Sequence, residues 1–376
     1  MFAGKNTFRV AAFLILLTSA GLAFLWYEFV GKRERDLPAM TPVVLPERIP
    51  NEAHGVLAGN LEIPWSLDFL PDGRILITER PGRVRLLNPQ AGLAPEPALV
   101  VEEVRHQGEG GLLGLAVHPE FESNRLVYLY YTYENAEGLA NKVVSCELEN
   151  QELTRAQTII DRIPGARIHN GGRISFGPDS MLYITTGDAG ISRAAQDLAS
   201  LAGKILRLQG DGAIPADNPF AGSPVYSYGH RNPQGLVWDS AGKLWATEHG
   251  PSGHDEINLI EPGKNYGRPI IQGDEQASGM VAPVLHSGSD TWAPSGVAVL
   301  GDTMYIAGLR GRALYQFNLD RENPVLIPRL QGTFGRLRDV VAGPGGLLYI
   351  LTSNRDGRGL PTAEDDLLLV VDPGRL

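Results

Sequence analysis

The stretch Leu67–Thr78, LDFLPDGRILIT, reads as a short apolar strand, a Pro-Asp-Gly turn and a second apolar strand. Proline, aspartate and glycine in this order favour a tight turn, so the stretch predicts a β-hairpin. The same phrase returns five times, with starts 48, 59, 62, 61 and 43 residues apart. The five further copies are Leu115–Tyr131, Ile174–Thr185, Leu236–Thr247, Val297–Ala307 and Val340–Thr352.

A repeat of 40 to 60 residues built from short strands is typical of a β-propeller with one repeat per blade. Six copies therefore predict an all-β, six-bladed β-propeller over residues 54–376. The last apolar run, Leu367–Val371, has no hairpin partner after it, while Val56 and Leu57 precede the first copy. We expect these two ends to pair within one sheet, because that pairing closes the ring and removes two open strand edges.

The N-terminal segment differs from the rest of the chain. Residues 10–27 are uncharged and follow Lys5 and Arg9. As a helix of about 1.5 Å per residue they reach roughly 27 Å, close to the thickness of a bilayer core. We expect residues 1–30 to be a membrane anchor or an uncleaved signal, with cleavage near Ala20 as the alternative, followed by a proline-rich stalk over 31–53. Either reading exports the body of the protein, so we expect it in the periplasm.

Composition excludes several classes of function. The chain has 376 residues and a formal net charge of −10, which disfavours nucleic acid as a partner. Its single cysteine, Cys146, permits no internal disulfide. The sequence shows no zinc-spaced His/Cys cluster, nucleotide-binding loop or nucleophile elbow, so redox chemistry would need a cofactor that is not a nucleotide.

The first chemical candidate is a histidine and an aspartate on either side of one hairpin. His169 lies in RIHNGG before the third repeat, and Asp188 lies in TGDAG after it. The two ends of a hairpin meet, so both side chains can reach the same loop cluster. A histidine oriented by a carboxylate is a common general base near neutral pH. The alternative is an ordinary turn histidine beside a glycine-rich bend.

Three further clusters of polar residues follow along the chain. Two of them flank the fourth repeat, and the third is basic. GHRNPQG at 229–235 predicts a rigid polar loop. EHGPSGHDEIN at 248–258 offers the hard oxygen ligands that calcium prefers. The alternative is that this second segment is only a solvated acidic loop. Arginines gather on two neighbouring loops of an acidic chain, which suggests an anionic ligand. They are Arg310, Arg312, Arg336 and Arg338. The alternative is a set of surface salt bridges with Asp339 or Glu322.

Taken together, these phrases resemble the soluble quinoprotein sugar dehydrogenases of the glucose/sorbosone dehydrogenase type, especially bacterial aldose sugar dehydrogenases. The resemblance covers about residues 54–372. It is carried by IPW at 63–65, GGLLGLAVHP at 110–119, HNGG at 169–172, GHRNPQG at 229–235, EHGP at 248–251, DEIN at 255–258 and KNYG at 264–267. Members of this family are six-bladed propellers that bind pyrroloquinoline quinone and Ca²⁺.

The resemblance implies roles for matching residues. His169 corresponds to the base that removes the proton of the anomeric hydroxyl while hydride leaves C1 for the quinone, Asp188 orients it, and Arg231 with Asn232 faces the quinone oxygens. Further residues would bind the cofactor: Thr291 by contact, and Arg310, Arg336 and Arg338 through its carboxylates. The carbonyls of Gly250 and Pro251 match ligands of the cofactor-bound calcium, and Glu256 with the Tyr266 carbonyl matches a second calcium site.

This chain departs from the family pattern at two positions. Glu109 replaces a glutamine at the cofactor site, and Arg268 replaces the tryptophan of NYGWP. A carboxylate beside an anionic cofactor predicts a raised pKa for Glu109. The implied function is oxidation of an aldose to its lactone, with a membrane or periplasmic electron acceptor. The alternatives are a non-catalytic calcium-binding propeller and a calcium-dependent lactonase.

Overall fold

The computed structural model describes residues 53–319 and 325–376. The anchor and nearly all of the stalk lie outside these residues. The regular secondary structure of the described chain is almost entirely β-strand, with one short helix, α1, at Phe121–Asn124 and three 3₁₀ segments at Ser192–Gln196, Pro344–Gly346 and Pro373–Arg375. Within the described ranges, no helix is long and apolar enough to cross a membrane.

Twenty-five strands are present in the described residues. In chain order they are β1 His54–Ala58, β2 Pro64–Phe69, β3 Ile75–Glu79, β4 Arg83–Asn88, β5 Gly92–Leu93, β6 Leu99–Val100, β7 Leu112–Val117, β8 Leu126–Asn135, β9 Gly138–Glu149, β10 Glu152–Pro164, β11 Ile174–Phe176, β12 Leu182–Thr186, β13 Lys204–Leu208, β14 Val225–Tyr228, β15 Pro233–Trp238, β16 Leu244–Glu248, β17 Glu256–Ile260, β18 Leu285–His286, β19 Pro294–Leu300, β20 Thr303–Gly308, β21 Ala313–Asn318, β22 Leu326–Arg329, β23 Leu337–Ala342, β24 Leu348–Thr352 and β25 Leu368–Val371.

These strands form six antiparallel sheets, one per blade. Five blades take consecutive strands: β2–β6, β7–β10, β11–β14, β15–β18 and β19–β22. Each quoted repeat falls on the first two strands of one blade. The prediction of a six-bladed β-propeller is therefore confirmed.

The sixth blade is assembled from both ends of the described chain. Its strand order is β1-β25-β24-β23, with His54 opposite Val371 and Val56 opposite Leu369. The predicted closure is thus present, and β1 supplies the outer strand. One apolar cluster joins this blade to the first, since Leu67 and Ile77 pack with Tyr349 and Leu351.

Buried polar contacts cross the axis of the ring. Arg173 at the start of the third blade donates to Asp339 Oδ2 of the sixth blade at 3.0 Å and to Ser66 Oγ of the first at 2.9 Å. Asp339 Oδ2 also accepts the Leu67 amide at 3.1 Å. Asp339 is therefore committed to holding three blades together and is not paired with the arginines of the basic cluster.

The ends of the first two strands of each blade decide where a site can form. The first strand begins where the second strand ends, because the pair is antiparallel. Loops that precede the first strands and loops that follow the second strands therefore share one face of the ring. Most predicted site residues lie in such loops, His169 and Asp188 among them. The exceptions are Arg338 on β23, Glu256 at the start of β17 and Tyr266 in the loop after β17.

One buried lysine fixes the loop that follows Asp188. Lys204 on β13 is fully buried, and its Nζ donates to the carbonyls of Ala194, Ala195 and Ala202 at 2.9, 3.1 and 2.6 Å. Two of these carbonyls belong to the 3₁₀ segment Ser192–Gln196.

Replacing Lys204 by methionine keeps the length of the side chain and leaves those carbonyls without a donor. We expect Lys204→Met to lower the free energy of unfolding by about 1–3 kcal/mol, measured by urea denaturation. Lys243→Met, at an exposed turn, is the control and should change little. Equal stability of the two variants would contradict the role given to Lys204.

Candidate active site

The predicted base and its carboxylate are in direct contact. His169 Nδ1 lies 2.6 Å from Asp188 Oδ1, and both residues are buried. The carboxylate accepts, so Nδ1 carries the hydrogen and Nε2 keeps its lone pair. Burial opposes the charge of Asp188, but the contacts of His169, the Gly190 amide and Arg268 outweigh it and lower the pKa of Asp188. The carboxylate therefore stays ionised and orients the imidazole.

The two loops that carry this pair touch each other. His169 has a left-handed backbone, with φ of 55°. Its carbonyl lies so close to Gly187 that a Cβ there would collide with it. Asn232 Oδ1 of the next blade accepts the Gly171 amide at 3.0 Å. Base, carboxylate and Asn232 thus form one rigid unit across two blades.

The prediction for Glu109 is wrong in its direction. Glu109 Oε2 accepts the His169 amide at 3.0 Å, and Oε1 pairs with Arg358 Nη2 at 3.0 Å. Burial raises the pKa of Glu109, but the His169 amide and the interactions with His249 and Arg358 more than compensate and hold it below its ordinary value. Arg358 lies 249 residues away in the sequence. Sequence reasoning therefore had no signal for this partner.

Glu248 fixes the loop of Arg231 and Asn232. One of its carboxylate oxygens accepts both the Arg231 and the Asn232 amide, the latter at 3.3 Å. The other lies 2.9 Å from His230 Nδ1. The Arg231 guanidinium reaches the neighbouring loop, where Nη1 donates to the His249 carbonyl at 3.0 Å.

Two of the predicted arginines are buried, so a set of surface salt bridges does not describe them. Arg336 Nη2 and Nε lie 2.7 and 3.0 Å from Asp356 Oδ2. Arg338 Nη1 donates to Gln234 Oε1 at 2.8 Å, and burial is the main reason that its pKa falls to about 9. Asp356 is their acidic partner, and Asp339 is not, while Glu322 lies outside the described residues.

Arg338 lines a narrow cavity of about 30 Å³ on the same face of the propeller as the loop that carries His169. Glu109 and Arg358, which form the 3.0 Å ion pair, line it as well. Arg80 is an addition that sequence reasoning missed, although it follows β3 at the strand end that faces the site. Thr291 and Arg310 are not among the residues that line this cavity. Arg310 is exposed, and the assignment of both residues stays a prediction.

Several donors around this cavity have no partner. Three of its lining residues carry a buried nitrogen that makes no hydrogen bond to any described residue: Arg80 Nε, His249 Nε2 and Arg338 Nε. Arg231 Nε, which belongs to the lining of a second cavity, lacks a partner as well. Buried donors without partners are costly, so such a group indicates a ligand that accepts hydrogen bonds and carries negative charge. The His249 pKa is lowered by its burial, so its ring is neutral and can donate from Nε2 in one tautomer.

The predicted calcium ligands line a second cavity, of about 330 Å³. Its lining includes Gly250, Pro251, Glu256 and Tyr266, together with Arg231. Burial and the nearby Glu248 raise the pKa of Glu256. Within residues 53–319 and 325–376, no group of three His, Cys, Asp or Glu side chains could hold a metal ion. The predicted ligands include backbone carbonyls, which such a grouping does not contain.

Asp255 is not available as a ligand. Its Oδ1 accepts the Gly250 amide at 2.9 Å, and its Oδ2 accepts the amides of Trp292 and Ala293 at 2.6 and 2.8 Å. It fixes the Gly250–Pro251 loop against the fifth blade. Of the adjacent acidic pair, only Glu256 faces the cavity.

Comparisons with known proteins agree with this arrangement. Residues 61–368 match the family model described as Glucose / Sorbosone dehydrogenase. The aldose sugar dehydrogenase YliI of Escherichia coli is 34% identical, over 80% of this chain and 90% of the relative. Quinoprotein glucose dehydrogenase B of Acinetobacter calcoaceticus is 37% identical, over 60% of this chain and 54% of the relative.

A solved structure extends the comparison to three dimensions. The PQQ-bound form of the aldose sugar dehydrogenase from Streptomyces coelicolor is 40% identical and superposes with a TM-score of 0.79. The match covers 85% of this chain and 96% of that one. The fold, the family model and these relatives lead to one conclusion: the chain belongs to the glucose/sorbosone dehydrogenase family of sugar-oxidising propeller enzymes.

Proposed function

We propose that the protein oxidises the C1 hydroxyl of aldoses to lactones, with pyrroloquinoline quinone as hydride acceptor and Ca²⁺ as its partner ion. The contact of His169 with Asp188, beside a cavity of unpartnered cationic donors, carries this proposal. The first supplies a base for the sugar hydroxyl, and the second suits an anionic quinone cofactor.

His169 performs the proton step in this proposal. Its Nδ1–H is held by Asp188 Oδ1, so Nε2 is the atom that accepts the proton of the anomeric hydroxyl. Asp188 stabilises the imidazolium that results and remains ionised itself. The Glu109 contact to the His169 amide fixes the backbone of the base during this transfer.

The residues around the narrow cavity fit the cofactor by their chemistry. Arg80 and Arg338 would bind its carboxylates through the nitrogens that now lack partners, and Arg231 with Asn232 would lie against its quinone oxygens. When bound, pyrroloquinoline quinone supplies a two-electron acceptor for the hydride. Arg231 would stabilise the negative charge that develops there.

Calcium fits the second cavity for a similar reason. Glu256 provides a buried carboxylate, and the carbonyls of Gly250, Pro251 and Tyr266 provide hard oxygen donors. We place the cofactor-bound ion at Gly250 and Pro251, and a structural ion at Glu256 and Tyr266. The S. coelicolor relative supports the quinone assignment through its PQQ-bound form.

We further propose that the protein works in the periplasm, anchored through residues 10–27, and passes electrons to a membrane or periplasmic acceptor. The two other functions considered for this fold make different demands. A calcium-dependent lactonase would not use the cationic donors of Arg80 and Arg338. A non-catalytic calcium-binding propeller would not use the paired base.

An assay of the apoprotein tests the proposal. The protein is offered a panel of aldoses and an artificial electron acceptor, with and without added quinone and Ca²⁺. Turnover only with both additions supports the proposed function. Lactone hydrolysis without quinone would establish the lactonase instead, and quinone binding without turnover would establish the non-catalytic propeller.

Glu109→Gln separates the charge of this side chain from its shape. Glutamine can still accept the His169 amide, but it frees Arg358 and removes a negative charge from the cofactor cavity. We expect quinone binding to tighten by about threefold to tenfold. A partly exposed ion pair contributes about 1 kcal/mol or less. The loss of repulsion between the Glu109 carboxylate and the anionic cofactor adds to this effect.

Because Glu109 is already ionised in the wild type, the dependence of turnover on pH above neutrality should be the same in the wild type and the variant. Titration of the apoprotein with the quinone measures the affinity. Weaker binding by the glutamine variant would show that the pair with Arg358 organises the cavity rather than restricting it.

A further inference from the structure

Arg268 lies directly behind the candidate base. It belongs to the loop that follows β17, and its backbone is held on both sides. Its amide donates to the Gly229 carbonyl at 2.9 Å, and its carbonyl accepts Gln196 Nε2 at 2.6 Å. The side chain then extends to Asp188, with 3.1 Å between Arg268 Nε and Asp188 Oδ2.

The two oxygens of Asp188 have different partners. Oδ1 takes His169 Nδ1 at 2.6 Å and the Gly190 amide at 2.8 Å. Oδ2 takes Arg268 Nε, which is its only hydrogen-bond donor among the described residues. Asp188 is fully buried, whereas the Arg268 side chain is 26% exposed. Arg268 is therefore the outer end of a chain that runs through Asp188 to His169.

We propose that Arg268 is a positioning residue that sets, through Asp188, both the orientation and the proton affinity of His169. The inference rests on the proposed role of His169 as the base. A cation on Oδ2 draws negative charge away from Oδ1, which weakens the support that the carboxylate gives to a protonated imidazole. Without this cation, Asp188 would favour a protonated imidazole more strongly.

Other charged groups also lie near His169. Glu109 contacts the backbone amide of His169 and not its ring, so its negative charge acts on the imidazole only from a distance. Arg231 belongs to the next blade and lies in the field of Arg268, Asp188 and Glu109. Of these groups, Arg268 alone bonds the carboxylate that touches the imidazole. Its charge also contributes to the lowered pKa of Asp188.

Two variants test the charge. Arg268→Gln removes it while leaving an amide that can reach Asp188, and Arg268→Lys keeps it on a shorter donor. The direct readout is the ¹⁵N-histidine NMR titration of the apoprotein, with the His169 signals assigned by their loss in His169→Ala. We expect the midpoint for His169 to rise by about 0.5–1 pH unit in Arg268→Gln and to stay near the wild-type value in Arg268→Lys.

Turnover gives the second readout. In quinone-loaded Arg268→Gln, the acidic limb of the plot of kcat against pH should shift to higher pH by the same amount as the NMR midpoint. KM for a neutral aldose should change less than twofold. An unchanged His169 midpoint in folded Arg268→Gln would overturn the inference, whatever happens to turnover. A rise in KM at constant kcat would also overturn it, because it would make Arg268 a substrate contact.

A third comparison uses Asp188→Asn. The effect of Arg268→Gln on the His169 midpoint should vanish in this background, because the linking carboxylate is gone. A shift that persists would mean that Arg268 acts on His169 directly, and the chain through Asp188 would be wrong. The NMR readouts need neither quinone nor sugar. Their failure is therefore distinguishable from failure of the proposed function, which would appear as absent turnover in the wild type.

Discussion

His169→Ala is expected to reduce kcat for aldose oxidation by about 10²–10⁴-fold, the range typical for loss of a general base. Quinone affinity should stay close to that of the wild type. The imidazole contacts Asp188, whereas the cofactor donors lie on Arg80 and Arg338, and the His169 amide that bonds Glu109 survives the substitution. Steady-state kinetics and a separate quinone titration measure the two quantities.

His118→Ala is the matched control for this variant. The His118 ring accepts the Glu120 amide at 3.0 Å and has no carboxylate partner of this kind, and the residue lies at the opposite end of a first strand, after β7. It should retain most of the turnover. If His169→Ala keeps more than about a tenth of the wild-type kcat, the residue is not the general base.

Arg338→Ala is expected to weaken quinone binding by about tenfold or more, because a charge-assisted contact is worth about 1.5–3 kcal/mol. Arg338 is buried, its Nε lacks a partner, and it lines the cavity beside Trp65. Arg336→Ala should act in the same direction, since it leaves the buried Asp356 without its closest cation. Quenching of tryptophan fluorescence on titration with the quinone reports the affinity.

Arg329→Ala removes the same charge from β22, where the side chain donates to Gln316 at 3.0 Å and does not line the cavity. It should bind the quinone like the wild type. Unchanged affinity in both Arg336→Ala and Arg338→Ala would mean that these arginines serve only the fold.

The fold could be predicted because every blade repeats one local pattern. Turn residues and apolar alternation are properties of neighbouring residues, so LDFLPDGRILIT and its copies are enough to count six hairpins. Pairing of the two chain ends followed from the unpaired runs near Val56 and Leu369. Short strands with weak patterns, such as β5 and β6, were not foreseen.

The site could be predicted only in part. Motifs located His169 and Asp188 because both lie beside the same hairpin. The partner of Glu109 could not be found in this way, since Glu109 precedes the second blade and Arg358 comes from the last blade. Contacts across the axis depend on which blades face each other, and residue spacing does not encode that information. The shift of the Glu109 pKa was predicted in the wrong direction because the contact with Arg358 could not be foreseen.

Closure of the ring by β1 has a consequence for cooperativity. With the sixth sheet completed by the first strand, no blade is terminal, and each packs between two others. Fraying of either end exposes the apolar face of the same sheet, because His54 and Val371 are opposite one another. Partial unfolding therefore cannot peel off one blade while the remaining five stay closed. Loss of this single pair of strands would spread the loops that bring His169, Arg231 and Arg338 together, so the integrity of the site depends on residues at the two extremities of the folded chain.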